Sequence, residues 1–310
     1  MQIFLAVFLF LLGILFTVRG GDSFVSAASR ISEIFAVPKF IIGATVVSLA
    51  TTLPELLVSL LAAADGKTEM AIGNAVGSVS ANTGLILAIS LIFMPPHGIR
   101  KMAFKFILLL CSSLSILVFS LSGRLLPIGC VALVLCFMIF IFDNVKAAKT
   151  SSFNEPQPEG EGLLFSAFRF LVGASAIVIG AKLLVDNASS LARIFGISEA
   201  VIATTVLAIG TSLPELTTTL CAIKRREASL SIGNVLGANI IDLTVILPAC
   251  SFLSGKPLPV SERGAFFDMG ACFIIICIAA IPALWRGHLG KTQGFTLLLA
   301  YIFYIGLTIF

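Results

Sequence analysis

Two short polar stretches interrupt long apolar runs of this chain: ATTLPE at Ala50–Glu55 and GTSLPE at Gly210–Glu215. Each stretch ends in a proline and a glutamate. Of the 310 residues, 58% are hydrophobic and only 12% are charged, which is about half the charged share of a soluble domain. A glutamate in such surroundings is costly unless it has a partner or a function. The repeated motif therefore decides how the rest of the chain is interpreted.

The apolar runs have the length that crosses a bilayer, since a spanning helix needs about 20 residues. They are continuous and do not alternate with polar residues, which favours helices over a β-barrel. We therefore predict an all-α integral membrane protein, and its first apolar run is a span because it lacks the features of a signal peptide. The ten predicted spans are residues 2–19 (with a helical extension toward 35), 39–63, 69–93, 101–122, 125–143, 163–195, 199–222, 228–253, 265–285 and 292–309.

The only hydrophilic segment, KAAKTSSFNEPQPEGEG, divides the chain near its middle. Its Pro, Gly, Ser and Glu content is typical of a flexible linker. The predicted organisation is one membrane domain with residues 1–145 before the linker, residues 146–162 in it and residues 163–310 after it. Most Lys and Arg residues fall on the linker side of the predicted spans, so this side should be cytoplasmic. The protein should then lie in the cell membrane (plasma or inner membrane), with both termini on the outside.

The two halves of the chain repeat with an offset of 160 residues. Without a gap, the tetrapeptide Leu53–Leu56 matches Leu213–Leu216, and the tripeptide at Ile72 matches that at Ile232. Because each half holds five predicted spans, an odd number, the second half enters from the opposite face. We predict an inverted-topology repeat, an arrangement that secondary transporters use to place their site at mid-membrane between the repeats.

The repeated motif carries hard oxygen donors. Pro54 has no N–H, so the carbonyl of Ala50 loses its helical partner, and we expect the second and seventh helices to be broken. Side chains at three- and four-residue steps share one helix face. In the second span this face holds Ser48, Thr51, Thr52, Glu55 and Ser59, and in the seventh it holds Ala208, Thr211, Ser212, Glu215 and Thr219. Carboxylates, hydroxyls and free carbonyls suit Na⁺, Ca²⁺ and Mg²⁺.

A second set of polar residues lies at matching positions in the third and eighth spans. They recur at four-residue steps, beside glycines that permit close helix approach. The set is Asn74, Ser78 and Asn82 in the third span, and Asn234, Ala238 and Asp242 in the eighth. Asn74 and Asn234 are candidates either for ion ligation or for bonding between helices.

These stretches resemble the calcium/cation antiporter superfamily, and most closely its prokaryotic sodium/calcium exchanger branch. GATVVSLATTLPE…GNAVGSVSAN and ATTVLAIGTSLPE…GNVLGANIID look like that family's two repeats. The resemblance implies exchange of Ca²⁺ for Na⁺ by alternating access, in which the first and sixth helices slide past the rest. It implies no cofactor and no enzymatic activity. The partners it implies are membrane lipid and inorganic cations, with no nucleic acid and no obligate protein partner.

The resemblance also implies roles for particular residues. The implied calcium ligands are Glu55, Glu215 and the backbone carbonyls of Thr51 and Thr211. The implied sodium ligands are Glu55, Thr52, Ser78 and the Ser48 carbonyl on one side, and Glu215, Ser212 and the Ala208 carbonyl on the other. Asn82 and Asp242 would form a central polar or proton site between them.

This chain departs from the family pattern at two places. The second repeat usually has Ser where this chain has Ala238, so one sodium site would lack a side-chain ligand. The first repeat usually has Gly-Thr-Ser where this chain has Ala50-Thr51-Thr52, and Thr52 keeps the hydroxyl. The first departure leaves a proton-coupled calcium antiporter as the alternative, because Asp242 can titrate.

Two other classes are weaker alternatives. An intramembrane zinc protease needs histidine ligands such as those of an HExxH motif, but the only histidines are His97 and His288, both in predicted loops. A channel would also hold buried acids, but it would conduct without a counter-ion. Ion flux that needs a counter-ion gradient therefore separates an antiporter from a channel.

Overall fold

The computed structural model describes residues 2–96, 98–150, 161–195, 210–261 and 264–309. The predicted linker residues 151–160, the first part of the predicted seventh span and His97 lie outside these ranges. The helices are α1 Gln2–Ile34, α2 Lys39–Ala64, α3 Thr68–Phe93, α4 Ala103–Ser120, α5 Pro127–Thr150, α6 Leu163–Ile194, α7 Leu213–Lys224, α8 Ala228–Ser254, α9 Met269–Trp285 and α10 Lys291–Ile309.

Within the described residues, eight helices are long and apolar enough to cross a membrane. They are α1 to α6, α8, and α9 together with the last part of the turn before it. Helix α7 is described only from Leu213 onward, and α10 is not among the eight. The helical membrane class is therefore confirmed, whereas the number of ten spans stays a prediction.

The second helix is not broken at its proline, which corrects the prediction. Helix α2 runs through Pro54 without a break in the assignment, because a proline removes a single N–H and neighbouring groups in a membrane protein can compensate for it. In the second half, Thr211 and Ser212 form a turn between helical Gly210 and α7. The described part of the predicted seventh span thus begins with a turn at the motif, and the break of the whole helix stays a prediction.

The described residues contain four turns of π-helix, of which three lie inside helices and one, Gly264–Asp268, leads into α9. In α3 the turn begins at Asn82 and in α8 it begins at Asp242, two positions that the 160-residue offset makes equivalent. Helix α2 has its own π turn at Gly43–Val47, ahead of the motif. A π turn carries one extra residue and is often found at functional sites. The two equivalent turns begin at the residues predicted to occupy the centre of the site.

Helix α8 packs closely on α2 because glycines line the contact. A Cβ atom on Gly233 would collide with the carbonyl of Phe40, and one on Gly237 would collide with the carbonyl of Ala44. Together with α3, α8 is the most buried spanning helix of the described chain. The motif of α2 therefore lies against the polar face of α8.

Helices α1 and α6 pack along a seam of four glycines. A Cβ on Gly13 would lie 3.0 Å from the Gly180 carbonyl, and one on Gly180 would lie 2.9 Å from the Gly13 carbonyl. The same reciprocity holds for Gly20 and Gly173, at 3.0 and 2.9 Å. The order of these contacts makes the two helices antiparallel. We call this contact the glycine seam.

Outside the helices, one short antiparallel strand pair joins two loops. Strand β1 (Arg124–Leu125) pairs with β2 (Leu258–Pro259), with Leu125 opposite Leu258. The pair connects the loop before α5 to the loop after α8, one from each half of the chain. It is a small departure from the predicted all-α class.

The ends of the predicted linker are structured. Helix α5 continues to Thr150, past the predicted boundary at residue 145. At the other end, the Glu161 carboxylate accepts bonds from Arg169 of α6 at 2.7 and 2.9 Å, and its carbonyl accepts one from Arg30 of α1 at 3.2 Å. We call the side of the molecule that holds Glu161 the linker face. Lys39, at the start of α2, pairs with Glu227 at 2.5 Å and Glu33 at 3.7 Å near this face.

Candidate ion-binding site

The two glutamates of the repeated motif are fully enclosed. Glu55 in the middle of α2 is 1% exposed, and Glu215 in the first turn of α7 is 0% exposed. Thr52, one turn before Glu55, donates a hydrogen bond to Glu215 Oε1 at 3.3 Å. The carboxylate of Glu215 therefore lies against α2, one helical turn from Glu55.

A neighbouring contact joins the motif to α8. Thr51 Oγ1 lies 3.2 Å from Asn234 Oδ1 and 3.2 Å from the carbonyl of Ser48. Ser48, Thr51 and Asn234 are all buried. Helices α2, α7 and α8 thus bring polar groups of the first and second halves of the chain together.

The predicted residues of α3 and α8 are also enclosed, but they play different parts. Asn74 is half-buried and donates to the Glu55 carbonyl at 3.3 Å and to Ser59 Oγ at 2.9 Å. It therefore bonds between helices, one of its two predicted roles. Ser78 and Asn82 are buried, and so is Asp242 at the start of its π turn.

The remaining predicted residues belong to the seventh span. Ser212 is buried and Thr211 is half-buried, both in the turn before α7. Ala208 lies outside the described residues. The structure thus describes the second repeat's half of the site from Gly210 onward.

Several oxygen atoms in this region are buried without a hydrogen-bond partner among the described residues. They are both carboxylate oxygens of Glu55, Oε2 of Glu215, both oxygens of Asp242, Oγ of Ser78, Oγ of Ser212 and Oδ1 of Asn82. Buried polar atoms normally have partners, and a buried carboxylate without one is costly. Oxygen donors of this kind fit a hard cation.

The site is not a cluster of acids alone. Among the described residues, no three His, Cys, Asp or Glu side chains are grouped so that they could hold a metal ion. Beside the two glutamates, the oxygen atoms without a partner also include the hydroxyls of Ser78 and Ser212 and the amide oxygen of Asn82.

The Ser48 hydroxyl of α2 lies close to the α8 residue that precedes Ala238. Ala238 is fully buried, and the adjacent Gly237 approaches Ser48 so closely that a Cβ on it would lie 2.5 Å from Ser48 Oγ. Ser48 donates to the carbonyl of Thr45 at 3.1 Å, which leaves its oxygen lone pairs free to accept. A hydroxyl oxygen is therefore present at the α2–α8 contact, although α8 does not supply it.

Three polar contacts beside the site were not predicted from the sequence. Asn239 donates to Thr83 Oγ1 at 2.8 Å between α8 and α3, and both residues are buried. Ser231 of α8 lies 3.3 Å from Thr219 and 3.1 Å from Ser90. The repeat gave no signal for Asn239 and Thr83 because their equivalents at positions 79 and 243 are Val and Leu.

The sodium/calcium exchanger protein family model matches residues 5–145 and 165–310. The chain belongs to the sodium/calcium exchanger family. It is therefore a multi-pass membrane transporter that exchanges cations, and it is not an enzyme. This excludes the intramembrane protease considered from the sequence. The predicted resemblance is confirmed.

The exchanger is similar to other members along almost its whole length. It is 32% identical to an uncharacterized membrane protein of Methanocaldococcus jannaschii, with 97% of each chain covered. It is 29% identical to sodium/calcium exchanger MaX1 of Methanosarcina acetivorans, with 95% of this chain and 96% of that one covered. A solved structure of the sodium-calcium exchanger NCX_Mj matches with a TM-score of 0.85 and 32% identity, covering 98% of this chain and 99% of that one.

Proposed function

We propose that this protein exchanges Ca²⁺ for Na⁺ by alternating access, with its ion sites at mid-membrane between two inverted repeats. The observation that carries the proposal is that Glu55 and Glu215 are both fully enclosed, and that the Glu215 carboxylate lies against α2 one helical turn from Glu55. Their carboxylates come from equivalent positions of the two halves, and three of the four oxygens have no hydrogen-bond partner among the described residues.

The charge of the two carboxylates accounts for exchange. Two ionised glutamates neutralise one Ca²⁺, and the same oxygens can instead hold Na⁺ ions. In the proposed site, Glu55, Glu215 and the carbonyls of Thr51 and Thr211 bind Ca²⁺. The sodium ligands are then Thr52, Ser78 and the Ser48 carbonyl on one side, and Ser212 and the Ala208 carbonyl on the other. Because the two ions use shared ligands, release of one is coupled to binding of the other.

The inverted repeat is supported by reciprocal contacts. The glycine seam pairs Gly13 with Gly180 and Gly20 with Gly173, and the 160-residue offset turns the first pair into the second. Two contacts that exchange places in this way are what a two-fold axis between the halves produces. The equivalent π turns at Asn82 and Asp242 agree with the same relation. In this arrangement α1 and α6 slide together past the remaining helices.

A proton-coupled exchanger is the second candidate. Asp242 is fully buried and neither of its oxygens has a partner among the described residues. Its equivalent in the first half is neutral Asn82. In either candidate, Asn82 and Asp242 form the central polar or proton site, and Asp242 is protonated while Ca²⁺ occupies the two glutamates.

Transport into proteoliposomes tests the proposal. Calcium uptake is measured with an outward Na⁺ gradient, with a pH gradient of matched driving force, and with neither gradient. Uptake driven by Na⁺ alone supports the proposed coupling, whereas uptake driven only by the pH gradient supports the proton-coupled candidate. Equal uptake without any counter-ion gradient contradicts both.

A further inference from the structure

An ion-pair cluster ties α1 to α7 at the linker face. Asp22 of α1 pairs with Lys224 at 3.1 Å and with Arg225 at 3.3 Å, just where α7 ends. Asp22 is itself one turn from the glycine seam. The cluster therefore connects the proposed sliding pair, α1 and α6, to a helix that carries a glutamate of the ion site.

The 160-residue offset maps this cluster onto the opposite face with its charges reversed. Asp22 is equivalent to Lys182 of α6, and Arg225 is equivalent to Asp65 at the end of α2. At the linker face α1 carries the acid and the end of α7 carries the base. At the opposite face α6 carries the base and the end of α2 carries the acid, so an ion pair can form at either face.

Only one of these two pairs is formed in the structure. Lys182 is exposed and has no ion-pair partner within the described ranges, and Asp65 makes only an exposed contact of 3.7 Å with Lys67. The ion pairs of Asp22 with Lys224 and Arg225 are formed in the same structure. The molecule is therefore asymmetric at the two ends of the sliding pair.

The helix packing shows the same asymmetry. At the linker face, a Cβ on Gly21 of α1 would lie 2.7 Å from the sulfur of Cys221 in α7 and 2.8 Å from Thr217, and Cys221 is only 7% exposed. The equivalent of Cys221 on α2 is Leu61, which is 66% exposed. Helix α1 thus covers α7 at one face, whereas α6 leaves the matching surface of α2 uncovered at the other.

We propose that Asp22–Arg225 and Lys182–Asp65 are reciprocal latches that form alternately as the sliding pair moves. The structure represents the state in which the linker face is closed. When α1 and α6 move as one body, the Asp22 cluster opens, α6 covers Leu61, and Lys182 reaches Asp65. This inference rests on the proposed alternating access, and it adds the residues that hold each end state.

Cysteine cross-linking tests the latches. In a variant without the seven native cysteines, Lys182→Cys is combined with Asp65→Cys, and in a second variant Asp22→Cys is combined with Arg225→Cys. A protease site within residues 151–160 lets the halves separate on a denaturing gel unless the cross-link joins them. Glu69→Cys with Lys182→Cys is the matched control, because Glu69 is exposed near Asp65 and has no place in the latch.

We expect both cysteine pairs to cross-link with a short bifunctional thiol reagent, and the control to remain unlinked. Each cross-link should block calcium uptake, and cleaving the reagent should restore it. Adding Asp22→Asn should raise the rate of the 65–182 cross-link about twofold to fivefold, the range expected for a partly exposed ion pair. In a variant carrying both Asp65→Lys and Lys182→Asp, uptake should recover relative to Asp65→Lys alone.

The latch proposal is overturned if the 65–182 cross-link fails to form in a protein that still takes up calcium, or if it forms without blocking uptake. An unchanged cross-linking rate with Asp22→Asn also overturns it. Failure of the proposed function gives a different result, because the unmodified protein would then show no gradient-driven calcium uptake at all.

Discussion

At the scale of single residues, the hydroxyl groups of the site are unequally divided between the halves. The first half supplies Ser48 and Ser78, and the equivalent positions of the second half are Ala208 and Ala238. Ser48 Oγ lies at the contact with Gly237, the residue before Ala238 on α8. The first half therefore supplies a hydroxyl at both positions, and the second half supplies one at neither.

We predict that Ala238→Ser lowers the Na⁺ concentration for half-maximal exchange several-fold and leaves calcium affinity nearly unchanged. A neutral oxygen ligand should contribute on the order of 1 kcal/mol, by analogy with a net hydrogen bond. Ser48→Ala should have the opposite effect, and Ala238→Ser should correct it. Sodium titrations of calcium uptake measure both, with Ser120→Ala, a buried serine of α4, as the control. Unchanged sodium dependence in both variants would show that the Ala at position 238 does not affect sodium binding.

A second prediction concerns Asp242. A third negative charge beside Glu55 and Glu215 is disfavoured by burial and like-charge repulsion, so Asp242 should be neutral while Ca²⁺ is bound. Asp242→Asn should therefore keep calcium binding and reduce the pH dependence of exchange. Isothermal titration with Ca²⁺ measures the binding, and calcium uptake at several pH values measures the pH dependence of exchange. Loss of calcium binding in the variant would show that the ionised carboxylate is a ligand.

Sequence reasoning finds the residues that symmetry marks and misses those it does not. Glu55 and Glu215 are recognised because an intramembrane glutamate occurs twice at one offset. The Asn239–Thr83 bond joins two residues whose equivalents are apolar, so no repeat signal exists for it. Asn74 could be either a ligand or an interhelical bond from its spacing alone. Only the packing of α3 on α2 decides this, because it sets the amide against the Glu55 carbonyl.

At the scale of elements, the positions of the spanning helices follow from hydropathy, but their internal irregularities do not. A proline favours a break in both motif helices, yet α2 continues through Pro54, and the chain turns only at Thr211 and Ser212. The π turns that begin at Asn82 in α3 and at Asp242 in α8 have no signal in the local composition.

The glycine seam makes a prediction at this scale. In Gly20→Ala, the new Cβ would lie 2.7 Å from the Ala176 Cβ and 3.0 Å from the Gly173 carbonyl, which forces α1 and α6 apart. We expect a loss of stability of about 1–3 kcal/mol, as for overpacked cores, and slower exchange. Thermal unfolding in detergent and calcium uptake measure the two effects.

The matched control is Gly270→Ala in α9, where a Cβ would meet nothing within 4 Å. The variant should keep wild-type stability apart from the small gain that alanine gives in a helix. Equal unfolding temperatures for the Gly20 and Gly270 variants would show that the seam is not closely packed in the membrane.

At the scale of the whole molecule, the linker tests the predicted orientation. Residues 151–160 are rich in Pro, Glu and Ser, a composition that does not build a core. Replacing them by a Gly-Ser segment of equal length, while keeping Glu161 and its bonds to Arg169, should preserve exchange. A single cysteine at position 152 should react with a membrane-impermeant reagent only after the cells are opened. Labelling in intact cells would contradict the predicted orientation, because it would place the linker outside the cell.

The central claim is that Glu55 and Glu215 together carry the calcium ion through the membrane. The most direct measurement is Na⁺-driven or pH-driven calcium uptake, whichever gradient drives the wild type, for Glu55→Gln and Glu215→Gln. Glu69→Gln serves as an exposed control, and unfolding temperatures verify that each variant is folded. We predict that either site variant nearly abolishes uptake while remaining folded, because each removes half of the charge that balances a divalent ion. Uptake at the wild-type rate in either folded variant would contradict the account.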